Sequence, residues 1–202
     1  MRPVPISPSD LPALVAQTAA ALPDRRLRVA VDGAPAAGAG ALADAVAAAL
    51  PALGRPAVRI RAADFWRPAS VRLEHGRTDV QSFAEMWLDD AALRREVLDP
   101  FVADGRYLPA LWDVEHDRSA RAAVRTAPTS AVLLIDGTLL LDRGLVFDLT
   151  VHMRLSTGAL RRRTPADEQW TLPAYDGYRG EGFADIVVRA DDPAHPAVVV
   201  RA

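Results

Sequence analysis

Cysteine, lysine and asparagine are all missing from this 202-residue chain. The lack of cysteine removes disulfides, thiolate catalysis and cysteine-ligated metals together. With no lysine, all 24 basic residues are arginine. Lysine and asparagine both have A-rich codons, so drift in a GC-rich genome accounts for the general bias. Such drift should turn a lysine into arginine, which keeps the charge. No apolar run approaches the roughly 20 residues of a membrane-spanning helix. Met1-Arg2-Pro3-Val4-Pro5 contains no apolar signal core, so a cytoplasmic location is expected. A net charge of −2 gives no reason to expect nucleic acid or an anionic membrane as partner. A homo-oligomer is left open.

Half of the residues are apolar, enough for one sizeable core, and the whole chain is expected to form one domain. Leu11, Leu14, Val15 and Leu22 keep a helical spacing, with Ser9 or Asp10 as cap. Leu27 to Asp32, Ala57 to Arg61, Ala131 to Asp136 and Val146 to Met153 read as strands. Between them fall helical stretches at Leu42 to Leu50 and Asp89 to Leu98, the latter expected to stop at Asp99-Pro100. Ser156 to Arg163 reads as a further helix, and Ile186 to Val188 and Val198 to Val200 as edge strands. Pro68 to Gln81 reads as a loop able to act as a substrate flap. Strands that are continuous apolar runs, alternating with helices, predict an α/β fold with a parallel central sheet covered on both faces. Ligands in such sheets sit beyond the carboxyl ends of the strands, where Asp32, Asp64 and Asp136 fall.

Between the first of these strands and its helix lies Gly33-Ala34-Pro35-Ala36-Ala37-Gly38-Ala39-Gly40. Gly33 and Gly38 match the two glycines of the phosphate-loop pattern G-x-x-x-x-G-K-[ST]. Such glycines let backbone N–H groups curl around a phosphate at a helix N-terminus. The lysine position holds Ala39 and the hydroxyl position Gly40, so the charge at the phosphates and the Mg²⁺ ligand are both missing. Gly38 to Ala43 also fits the dinucleotide pattern G-x-G-x-x-A, and an alanine-rich turn without ligand is a third reading.

Several further segments, in this order, resemble the uridine kinase-like branch of the P-loop kinases. They are Asp64-Phe65-Trp66-Arg67-Pro68, Ala91 to Pro100, Trp112 to Arg118, Val132 to Gly137, Leu172-Pro173-Ala174-Tyr175 and Ala184 to Val188. The resemblance implies a three-layer P-loop fold with a small helical lid over 156–182. It also implies a substrate pocket containing Trp66, Arg67, Trp112, Asp113 and Arg118, with Asp64, His116 and Asp136 as candidate catalytic groups. The departures fall on chemistry. Ala63 stands where the family has the aspartate that takes the acceptor proton, and Gln169 where it has a lid arginine. Arg161-Arg162-Arg163 is similar to the lid arginines that clamp phosphates, and reads equally as a solvated helix face. Arg67 or Arg161 could replace the missing lysine's charge.

Loss of one well-placed transition-state donor costs roughly 10²–10³ in rate. The expectation is therefore a kinase-like protein that no longer uses ATP–Mg²⁺. It would keep a small-molecule pocket for other acid/base chemistry, with no metal and no cofactor. Two alternatives stay open: a working kinase with displaced groups, which would need ATP and Mg²⁺, and a non-catalytic binding or scaffold protein.

Overall fold

A computed structural model describes residues 2–201. Its core is a seven-stranded sheet. In chain order the strands are β1 (Val4–Pro5), β2 (Leu27–Gly33), β3 (Ala57–Arg61), β8 (Val132–Gly137), β9 (Leu149–Arg154), β10 (Ile186–Arg189) and β11 (Ala197–Val200). The numbers between belong to four two-residue strands: β4 (Arg106–Tyr107) pairs with β7 (Arg125–Thr126), and β5 (Trp112–Asp113) with β6 (Arg118–Ser119). The sheet order is β1-β11-β10-β9-β2-β8-β3, parallel from β3 to β10 and antiparallel beyond. The chain thus leaves β8 on one side of β2 and returns as β9 on the other, which opens a crevice at the carboxyl end of β2.

Residues of alternate parity on each strand serve different faces. Val29, Val31, Val132, Leu134, Val151 and Ile186 pack against α1 (Asp10–Ala21) and α2 (Ala39–Ala49). Ile60, Leu133 and Ile135 turn the other way, onto the helical run Asp90–Ala103. The strands are fully apolar because both faces are covered.

Several boundaries differ from expectation for identifiable reasons. The helix expected to stop at Asp99-Pro100 continues to Ala103 as α5 (Asp90–Leu93), a π-helical turn over Arg94–Leu98, and α6 (Asp99–Ala103). Pro100 has no N–H to give the Glu96 carbonyl, and the Leu108 N–H supplies the bond at 3.0 Å instead. Val146 is exposed and outside β9, which starts at Leu149. β10 is not an edge, since β11 pairs with it and the unforeseen β1 closes that side. At α1, the Asp10 N–H is capped by the Ser7 hydroxyl rather than by Ser9.

Pro68 to Gln81 is not an open loop. It contains α3 (Ala69–Arg72) and the start of α4 (Val80–Glu85), capped by Asp79. Buried Arg72 lies against Trp87 and Trp66, 5.0 and 5.6 Å from their ring centroids, and its Nε donates to the Arg67 carbonyl at 2.7 Å. Residues 156–182 form α7 (Thr157–Arg163), a 3₁₀ turn over Ala166–Thr171, α8 (Pro173–Asp176) and the start of α9 (Gly180–Phe183). Trp170 holds this region onto α4, with its ring 5.6 Å from Phe83 and 5.8 Å from Trp87. No helix among the described residues is long and apolar enough to cross a membrane.

Candidate functional site

The loop after β2 has glycines at 33 and 38, with Ala39 and Gly40 following at the start of α2. Gly38 sits in the left-handed region at φ 83°, which a glycine adopts without strain. Gly33 allows a close approach of β9: a Cβ there would meet the Met153 backbone oxygen at 2.9 Å. Between them Pro35–Ala37 winds into a 3₁₀ turn, where the Ala37 N–H donates to Ala34 at 2.8 Å and the Gly38 N–H to Pro35 at 3.2 Å. Pro35 has no N–H at all. Three of the loop's five residues, 34–38, are thereby withdrawn from any anion.

Asp136 lies at the carboxyl end of β8 on the α2 face. A Cβ at Gly40 would stand 3.0 Å from its Oδ2. Arg59, two residues before the end of β3 on the same face, extends its guanidinium into this corner. Arg59 Nη1 lies 2.7 Å from Asp136 Oδ1, and Nε donates to Asp44 on α2 at 2.9 Å. Nη1 also donates to the Ile60 carbonyl at 2.6 Å and Nη2 to that of Gly40 at 3.5 Å. Asp136 Oδ1 is buried with no N–H in hydrogen-bonding line, so Arg59 compensates its charge without a well-aligned bond.

Arg59 therefore holds a fixed positive charge between the acidic strand end and the start of α2, where this fold implies Mg²⁺ and nucleotide phosphates. The residues do not fit that group. Ala39 offers no cation and Gly40 no hydroxyl, three of the five loop residues have no amide free for an anion, and Asp136 and Asp44 are both paired with Arg59.

The other sequence-predicted residues fall in separate places. Asp64, in the 3₁₀ turn after β3, forms a bidentate pair with Arg61: Oδ1–Nη2 2.6 Å and Oδ2–Nε 3.1 Å. The bond and charge of Asp64 hold the Arg61 guanidinium above its ordinary pKa. Asp113, His116 and Arg118 come together on the β5–β6 hairpin. Asp113 Oδ2 lies 2.9 Å from His116 Nδ1 and 3.3 Å from Arg118 Nε, beside a cleft of about 380 Å³. Burial alone would raise the Asp113 pKa, but hydrogen bonds from His116 and Arg118 bring it below its usual value.

Asp117 ties this hairpin to α3. Its Oδ1 accepts the Ala69 N–H at 2.7 Å and the Trp112 indole N–H at 3.0 Å, and these bonds lower its pKa. Trp66 contributes to an aromatic cluster, 5.0 Å from Trp87 by ring centroids. The Arg67 N–H donates to the Trp87 carbonyl at 2.8 Å. In the arginine run, Arg163 donates to the carbonyls of Ala190, at 2.8 Å, and Asp191, while Arg161 and Arg162 are exposed.

Two groups at the strand ends escaped the sequence reading. Arg59 could have been seen, because Ala57-Val58-Arg59-Ile60-Arg61 places two arginines on one face of a strand beside the loop. His152 could not. Its partner is Asp32, 120 residues away, and Nδ1 to Oδ2 is 2.6 Å. Asp32 is fully buried on the face opposite Asp136, and it also accepts from the Leu140 N–H and the Tyr178 hydroxyl, both at 2.9 Å.

No protein-family model matches the chain, and no curated protein matches it in sequence. Solved structures do match. A "possible uridine kinase" from Bacillus stearothermophilus superimposes with a TM-score of 0.70 at 17% identity, over 88% of this chain and 97% of that one. A "putative fructose transport system kinase" from Silicibacter sp. TM1040 gives a TM-score of 0.61 at 22% identity, over 86% of this chain and 90% of that one. At these identities the likeness establishes the fold, which is the α/β fold of the P-loop kinases.

Proposed function

We propose that this kinase-fold protein has lost ATP-dependent phosphoryl transfer and keeps a small-molecule pocket for acid/base chemistry of another kind. The observation that carries this reading is the Arg59–Asp136 pair beside Gly40. A phosphoryl-transfer site needs a cation that moves with the phosphates and donors aimed at developing charge. A guanidinium held by Asp136, Asp44 and two backbone carbonyls supplies neither.

The substrate side has kept its polar groups. Asp113, His116 and Arg118 are the proposed ligand contacts on the hairpin. Trp112 and Asp117 tie them to the segment that bears Trp66 and Arg67. Asp64 and Asp136 enter this reading as paired carboxylates that orient their arginines, which leaves His116 as the proton carrier on this side.

Isothermal titration with ATP–Mg²⁺ tests the loss. No saturable heat at micromolar nucleotide is expected. Micromolar binding, with Mg²⁺-dependent ADP release on adding a nucleoside or alcohol that disappears in Asp136→Ala, would show a working kinase and overturn the proposal.

A further inference from the structure

Asp32 at the end of β2 accepts three hydrogen bonds while fully buried: Leu140 N–H on Oδ1, and His152 Nδ1 and the Tyr178 hydroxyl on Oδ2. A buried carboxylate needs such partners, and here they also orient the histidine. Donation from Nδ1 to Asp32 sets the tautomer and leaves Nε2 with the free lone pair of the neutral ring. Nε2 has no hydrogen-bond partner among the described residues, yet it is not enclosed. His152 lines a cleft of about 280 Å³, together with Ala34 of the loop after β2 and Tyr175, Asp176 and Glu181.

The Tyr178 phenol is fixed from two directions, by donation to Asp32 and by acceptance of the Leu141 N–H at 2.9 Å. Burial foremost, and then the Asp32 charge, push its pKa far upward, so it stays a neutral donor. Tyr175, whose hydroxyl lies 2.9 Å from Thr138 Oγ1, is pushed up to about 12 by burial.

We propose that His152 is the acid/base residue of a second site, oriented by Asp32, acting on a small neutral hydroxylated molecule. Geometry sets the role: a carboxylate on one imidazole nitrogen and an open cleft on the other is how a general base is held. The proton taken from a ligand hydroxyl or a water rests on Nε2, and the resulting imidazolium lies against the Asp32 carboxylate, 2.6 Å from Nδ1. The cleft selects the ligand. Its volume falls just below the range of about 300–1,000 Å³ for drug-sized ligands, which favours a molecule of monosaccharide size. Ser156 and Thr157 offer hydroxyls, and the charged lining is Arg154 against Asp176 and Glu181. Arg154 is itself paired with Glu181 at 3.2 Å, so a phosphorylated ligand finds no free cation in the lining. The assignment is independent of the preceding section: nucleotide titration decides that proposal, and ester hydrolysis decides this one.

The probe is p-nitrophenyl acetate, given to the full chain. As water oxygen bonds the acetyl carbon, Nε2 takes the water proton, the bond to p-nitrophenolate breaks, and the proton then passes to solvent. General-base assistance is worth about 10²–10⁴ in rate. His152→Gln should therefore lower hydrolysis tenfold or more, while His75→Gln/His195→Gln keeps the parent rate. The anionic ester 4-acetoxy-3-nitrobenzenesulfonate should react more slowly through His152 than the neutral one. An unchanged rate in His152→Gln overturns the catalytic role, and preference for the anionic ester overturns the ligand class. If His152→Gln does not fold, diethylpyrocarbonate on the native protein decides. Modification of His152, located by mass spectrometry, must track loss of hydrolysis, and a protected His152 overturns the proposal.

Discussion

Asp32 and Asp136 both close a central strand one residue before its end, yet they lie on opposite faces of the sheet. Asp32 follows Val31 on β2 and meets His152. Asp136 follows Ile135 on β8 and meets Arg59. Strand parity separates them, so substitutions at one should leave the other undisturbed.

Arg59→Ala removes the charge that compensates a buried carboxylate oxygen. Breaking a buried pair costs about 3–5 kcal/mol. Both side chains keep some solvent contact, 20% for Arg59 and 17% for Asp136, so about 2–3 kcal/mol is expected here. Arg59→Ala/Asp136→Ala should be more stable than the sum of the singles implies, as urea denaturation would measure.

Restoring the missing phosphate-loop side chains should not restore nucleotide binding. In Ala39→Lys/Gly40→Ser, the serine Cβ arrives 3.0 Å from Asp136 Oδ2 and the guanidinium still holds the corner. Calorimetry should detect ATP–Mg²⁺ binding only after Arg59→Ala is added. Binding by the double variant alone would show that Arg59 is no obstacle.

Arg72 should matter as packing more than as charge. Burial lowers its pKa, and its guanidinium lies over Trp87 and Trp66. Arg72→Ala should cost about 2 kcal/mol and red-shift the tryptophan fluorescence. Arg72→Lys should recover less than half, because an ammonium does not stack on the rings as a planar guanidinium does.

Asp148 should make stability fall in acid. Burial opposes its ionisation, but the Arg28 N–H at 2.8 Å and the Arg25 guanidinium at 2.9 Å overcome this and lower its pKa. A depressed folded pKa contributes stability above the unfolded value of about 3.9, and that stability is lost as pH falls through the folded value. Asp148→Asn should be about 1–2 kcal/mol less stable at pH 7, with the gap closing in acid below about pH 3.9. Thermal melts across pH would show a constant gap if the carboxylate charge is irrelevant.

The central strands were legible because parallel strands buried on both faces must be apolar along their whole length, as in Val132-Leu133-Leu134-Ile135. The turn between β2 and α2 was legible because its glycines are spaced along the sequence. What stayed hidden depends on distance or on compensation. Pro100 reads as a stop until the Leu108 N–H is seen to satisfy Glu96. β1 is two residues long and exists only through β11. His152 has no local signature, since its meaning comes from a strand 120 residues earlier. Among arginines, the sequence pointed to Arg67 and Arg161 as stand-ins for the lysine. The arginine found at this corner is instead Arg59, which strand parity and the reach of its side chain bring to Asp136.

A side chain that takes the place of an ion changes how the site responds to its surroundings. Magnesium fills a site according to its free concentration, and its departure leaves the carboxylates repelling. Arg59 is covalently part of the chain, so its local concentration is set by the fold and nothing can dilute it. The corner between β8 and α2 should therefore be equally stable in a chelator and in millimolar metal, as thermal melts in each would measure. On the proposed reading, neither metal nor nucleotide levels should alter the charge balance of this corner.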